Sequence, residues 1–148
     1  MRHANRPHRR PRERAYVADM AANAIRAAHD RRLALAHGAF FVTTGLWPIV
    51  HMRSFEAVTG PKLERWLVKT MGGLIAAIGG AVAAGALDRR MPHSVRVLAA
   101  TSAAVLAASD VIYVARRRIS PIYLADAVVE IALASAWSWS ARRARQSP

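Results

Sequence analysis

Residues 68–87 read VKTMGGLIAAIGGAVAAGAL, and from Thr70 to Leu87 no side chain is charged. A soluble amphipathic helix would place polar residues along one face every three to four positions. This stretch has no such face. At ~1.5 Å per residue it is ~30 Å long as a helix, the thickness of a bilayer's hydrocarbon core.

Working outward, three further apolar blocks of similar length lie at 33–50, 95–115 and 122–140. The chain has 148 residues with 22 Lys and Arg against nine Asp and Glu, a formal net charge of +13, and most of that charge falls between the blocks. Backbone groups in lipid must satisfy their own hydrogen bonds, and the blocks lack the period-2 alternation of barrel strands. The sequence therefore reads as all-α, an integral membrane bundle of four transmembrane helices within residues 33–141. There is no cysteine, which removes disulfides, thiolate metal sites and cysteine nucleophiles.

The flanks read differently. Residues 1–14 repeat Arg, His and Pro and bury nothing, so they are expected to be a disordered basic tail. From 15 to 32, Val17, Met20, Ala21, Ala24, Ile25 and Ala28 recur at helical spacing. This predicts an amphipathic interfacial helix on the cytoplasmic leaflet or a continuation into the first span. Residues 142–148 form a second basic tail. Ser120-Pro121 and Thr59-Gly60-Pro61 read as openings of the fourth and second helices, and Met91-Pro92 as the break before the third. Trp47, Trp66, Tyr113 and Tyr123 would mark one membrane surface, Trp137 and Trp139 the other.

Counting Lys and Arg gives orientation. With the N-terminus inside, fifteen lie in cytoplasmic segments and seven outside, so both termini are expected in the cytoplasm of a bacterial inner membrane. Arg116-Arg117-Arg118 is a local exception in an outer loop. The basic segments suit anionic lipid headgroups rather than nucleic acid.

Helices in lipid associate through close backbone approach at small residues. Gly72, Ala76, Gly80 and Ala84 are the expected packing stripe of the second span. With the alanines of the third span they would form the tight centre, or a face for a homo-oligomer.

Three acids fall inside the predicted spans: Asp110 in the third, Asp126 and Glu130 in the fourth. A carboxylate in hydrocarbon is costly and is expected to face the interior and to be paired or to bind something. The hairpin between these spans places Asp110 and Asp126 at similar depth, and Glu130 lies one turn on, on the same face as Asp126. Three like charges in low dielectric cannot all stay ionised without cations. His51 and Arg53, which leave the first span on the same side, are candidate counter-charges, and Glu56 and Tyr113 complete the polar set. Polar glue between the third and fourth helices is the alternative to a ligand or proton site. No bis-histidine haem pair, phosphate loop or nucleophile elbow is present, and no metal or cofactor is expected.

The run from Trp47 to Lys62 with Arg65–Thr70, and the segments Ser109–Ala115, Arg118–Ser120 and Tyr123–Asp126, resemble small uncharacterised four-span bacterial membrane proteins. The layout of four spans with acids near one face is similar to that of DoxX-like proteins and of sterol-isomerase-type bundles. The resemblance implies architecture and no mechanism. The leading expectation is a non-enzymatic membrane subunit that binds a lipid, a small amphiphile or a partner complex. A proton- or cation-coupled oligomeric transporter, and a lipid-modifying enzyme using His51 as partner to a carboxylate, are the alternatives.

Overall fold

Every regular element among the described residues, 11–88 and 90–145 of this computed structural model, is helical. Most of the predicted basic tail and the last three residues of the C-terminal one lie outside the described residues. Helix α1 runs unbroken over Pro11–Val50, α2 over Met52–Thr59, and α3 over Arg65–Ala84 with a 3-10 turn at Gly85–Leu87. Helices α4 and α5 follow at His93–Ala115 and Tyr123–Arg145. Among the described residues three segments are long and apolar enough to cross a membrane: α1, α3 with its 3-10 turn, and α4. Helix α5 has the same 23 residues as α4 but is not one of these. Asp126, Glu130 and three serines lower its apolarity.

The segment 15–32 takes the second of its two expected forms and continues into the first apolar block without a break. Forty residues of α-helix extend ~60 Å, about twice a hydrocarbon core, so the first part of α1 runs well beyond the length that a span requires. The polar run after the first block also differs from a loop. His51 accepts from the Ser54 backbone N–H through Nδ1 and caps the short helix α2, and Trp47 Nε1 donates to Ser54 Oγ at 2.7 Å. Thr59-Gly60 closes α2 instead of opening the next helix, with Gly60 at φ +87°.

The helices form two antiparallel pairs, α1 with α3 and α4 with α5. Glycine decides the first pair. A Cβ on Gly38 would sit 2.6 Å from the Gly79 carbonyl oxygen, and one on Gly79 would sit 2.6 Å from Phe41 Cβ. Gly45 and Gly72 meet backbone to backbone in the same way seven residues along. The expected tight centre between the second and third spans is thus displaced: α3 packs closely on α1 and only lightly on α4. Gly72 and Ala76 serve that seam, but Gly80 and Ala84 point outward, and nothing lies within 4 Å of a Cβ on Gly80.

In the second pair α4 turns Ala99, Ala103, Ala107 and Asp110 inward, and α5 buries Ala127, Glu130, Trp137 and Ser140. The pairs join around Ala34, Val82, Ala86, Ala99 and Trp137, one cluster drawn from both. Trp137 is 1 % exposed and belongs to this core, whereas Trp139 is 44 % exposed. The indole of Trp137 is therefore not a membrane-surface anchor.

Candidate functional site

Asp110 ends the inward stripe of α4, one turn before the helix stops, and Asp126 occupies the first turn of α5. Because α4 and α5 are antiparallel neighbours, the two carboxyls come close enough to interact electrostatically. Two neighbouring carboxyl groups in an apolar surrounding cannot both ionise cheaply. Glu130 stands one helical turn farther along α5, 1 % exposed, and interacts electrostatically with both aspartates. One oxygen of each outer member, Asp110 Oδ2 and Glu130 Oε2, is buried without a hydrogen-bond partner. An unpartnered buried polar atom costs about 1–3 kcal/mol. The cluster therefore holds unspent acceptor capacity inside an apolar bundle.

The other residues picked from the sequence stand elsewhere. His51 is exposed and engaged in capping α2, and Arg53 is exposed on the same short helix. Glu56 is taken by Arg65, whose guanidinium donates to both its oxygens at 2.9 and 2.7 Å. Arg65 holds the Glu56 carboxyl below the usual carboxylate range. Tyr113 is 47 % exposed. Among the described residues no salt bridge reaches Asp110, Asp126 or Glu130, so the counter-charges expected from His51 and Arg53 do not arrive. Nor do any three His, Cys, Asp or Glu side chains among those residues stand close enough to hold a metal ion.

A second buried polar system lies toward the other end of α5 and was not selected from the sequence. Asp30 accepts from Arg96 Nη2 and from Ser140 Oγ, each at 2.5 Å, tying α1 to α4 and α5. Two turns deeper on α1, His37 accepts from Trp137 Nε1 at 3.0 Å. Residues 126, 130, 137 and 140 share one face of α5, recurring at three-, four- and seven-residue steps. That spacing was available in the sequence, but Asp30 precedes the first predicted span, and Arg96, at the very start of the third, counted with the cytoplasmic charges.

Comparison with protein-family models, with curated proteins and with solved structures returned no match.

Proposed function

We propose that this chain is a multi-pass protein of a bacterial inner membrane that crosses four times with both termini in the cytoplasm, and that it binds a small amphiphile. In this reading α5 is the fourth crossing. Its outward surface is apolar, with Leu124, Val128, Val129 and Ile131 exposed, while Glu130 and Ser140 are turned inward. Lipid would then meet hydrocarbon, and the polar groups would meet protein. Gly80 and Ala84 on the outer face of α3 leave a small-residue strip against which a second copy would pack.

The observation that carries the binding reading is the pair of unpartnered buried oxygens, Asp110 Oδ2 and Glu130 Oε2, to which no salt bridge runs among the described residues. Such a site favours a ligand that brings hydrogen-bond donors or positive charge on an apolar body. An alkylammonium has that chemistry. With the chain reconstituted in neutral vesicles, dodecylammonium should bind in preference to dodecanol and dodecyl sulfate, by calorimetry. A variant carrying Asp126→Asn and Glu130→Gln should lose about tenfold in affinity, the worth of one charge-assisted hydrogen bond. Equal binding of the three amphiphiles would sink the reading.

Proton-coupled transport is the second reading, favoured by the proximity of Asp110 and Asp126, since two neighbouring carboxyls in low dielectric cannot both ionise cheaply. It predicts acidification-driven flux in proteoliposomes that the same double variant abolishes. A lipid-modifying enzyme has less support, because His51 caps α2 instead of standing beside a carboxyl.

A further inference from the structure

At the end of the bundle away from the carboxyl cluster, ~21 Å along α5 from Asp126, a cleft of about 730 Å³ opens between α1, α4, α5 and the segment that precedes α4. Four arginines line it, Arg26, Arg90, Arg96 and Arg143, against a single acid, Asp30. Asp30 is engaged at both oxygens. Its Oδ2 accepts from Arg96 and its Oδ1 from Ser140, so it balances Arg96 and holds that guanidinium in place. Arg26 and Arg90 bring positive charge beyond that pair. Arg96 also retains a buried Nε–H with no acceptor.

The remaining wall is apolar and aromatic. Ile25 and Met91 border the cleft beside Trp139. Arg143 lies over the Trp139 ring at 3.4 Å, and His29 meets that ring edge-on at 5.9 Å. A half-exposed tryptophan held between a guanidinium and an imidazole is suited to the headgroup level of a bilayer, where one side of a ligand is wet and the other is not. Guanidinium forks match the oxygens of a phosphate in a bidentate manner that a lysine cannot reproduce.

We infer that this cleft binds a phosphate group, presented as the headgroup of an anionic phospholipid, with Arg26, Arg90 and Arg143 as its ligands and the Asp30-held Arg96 as its floor. This is a discrete site, separate from general attraction of a basic surface to anionic lipid. The two differ in how they respond to where charge is removed.

The test uses the full chain in detergent, with phosphatidylglycerol, phosphatidylcholine of the same acyl chains, and inorganic phosphate as probes. Lipid retention is read by native mass spectrometry and affinity by calorimetry. Phosphatidylglycerol should be retained over phosphatidylcholine, and the double variant Arg26→Gln, Arg143→Gln should weaken it about tenfold or more. The control Arg12→Gln, Arg14→Gln removes the same charge from the start of α1, outside the cleft, and should change affinity by less than about twofold. Should the first variant fail to fold, Arg26→Lys and Arg143→Lys keep the charge and lose the fork, and should still weaken retention. If inorganic phosphate alone binds with the same arginine dependence, the phosphate reaches the site from solution; if only the lipid does, the headgroup is the source. Equal losses in cleft and control variants, or no preference between the two lipids, would overturn the proposal.

Discussion

The indole of Trp137 on α5 donates from Nε1 to Nδ1 of His37 on α1 at 3.0 Å, with both side chains buried. The bond joins the α1–α3 pair to the α4–α5 pair across a hundred residues of chain. Phe41 closes the other side of the imidazole, edge-on at 4.2 Å. Because Nδ1 accepts, the ring proton sits on Nε2, which has no acceptor of its own. Trp137→Phe removes the donor and leaves a second imidazole nitrogen unsatisfied. We expect a loss of about 1–3 kcal/mol in unfolding of the purified protein by sodium dodecyl sulfate. Adding His37→Leu to that variant should recover part of the loss, since the unsatisfied imidazole nitrogens are then gone. A double variant as unstable as the sum of the two single ones would show that the groups act independently.

The α1–α3 seam makes a sharper distinction between neighbouring glycines. A methyl on Gly79 would meet Phe41 Cβ at 2.6 Å and the Gly38 carbonyl oxygen at 2.8 Å, and backbone cannot give way cheaply. One on Gly80 meets open space. Gly79→Ala should therefore destabilise by about 1–3 kcal/mol, and Gly80→Ala should be neutral or stabilise by up to about 1 kcal/mol through helix propensity. The same denaturation assay compares them. Equal behaviour at the two positions would mean that the seam is not the close contact described.

Helix existence was legible because lipid-compatible helices leave long uncharged blocks, as Thr70 to Leu87 does. The convergence of Asp110, Asp126 and Glu130 was also legible, since a short hairpin and an i, i+4 step determine it. Partner choice among helices was not. Glycines occur on both faces of α3, so Gly72 and Gly80 look equivalent until α1 supplies Gly38 and Gly45 at a matching seven-residue spacing. The small residues of α3 and α4 suggested a close pair, but those of α1 permitted a closer approach. Asp30 was hidden for a different reason. It lies in charged sequence, beside Arg31 and Arg32, and only the approach of α4 and α5 encloses it.

Asp30 makes that enclosure testable. Its two oxygens are divided between Arg96 and Ser140 at 8 % side-chain exposure, while Arg96 keeps 21 %. Arg96→Gln strips the carboxylate of its counter-charge and should cost about 3 kcal/mol, the lower end for a buried pair because one partner is still partly wet. Asp30→Asn retains an oxygen for Arg96 and a donor for the Ser140 hydroxyl and should cost about 1 kcal/mol. The order of these two variants in denaturant resistance is the critical result. If Asp30→Asn proves the more damaging, the charge on Asp30 matters for something besides holding Arg96.

Outside the spans, the pair Glu56–Arg65 gives a pH response with a definite sign. Arg65 donates to both Glu56 oxygens, and the Lys62 backbone N–H donates to Glu56 Oε1 at 3.2 Å, so one carboxylate organises the connection from α2 to α3. The hydrogen bond from Arg65 is the largest cause that holds Glu56 below its ordinary value. A carboxyl depressed in the folded state contributes stability above the unfolded value, ~4.3 for glutamate, and loses it as pH falls through the lower folded one. Acidification should therefore release this connection below about pH 4 and leave it intact at neutrality. Hydrogen exchange reads the change at the Lys62 amide: protection relative to the intrinsic rate should fall on acidification. It should be low at every pH in Glu56→Gln, and moderate salt should reduce it because the pair is near solvent. A Lys62 amide equally protected at about pH 3 and about pH 7 in the unaltered chain would show that the charge on Glu56 does not hold the connection.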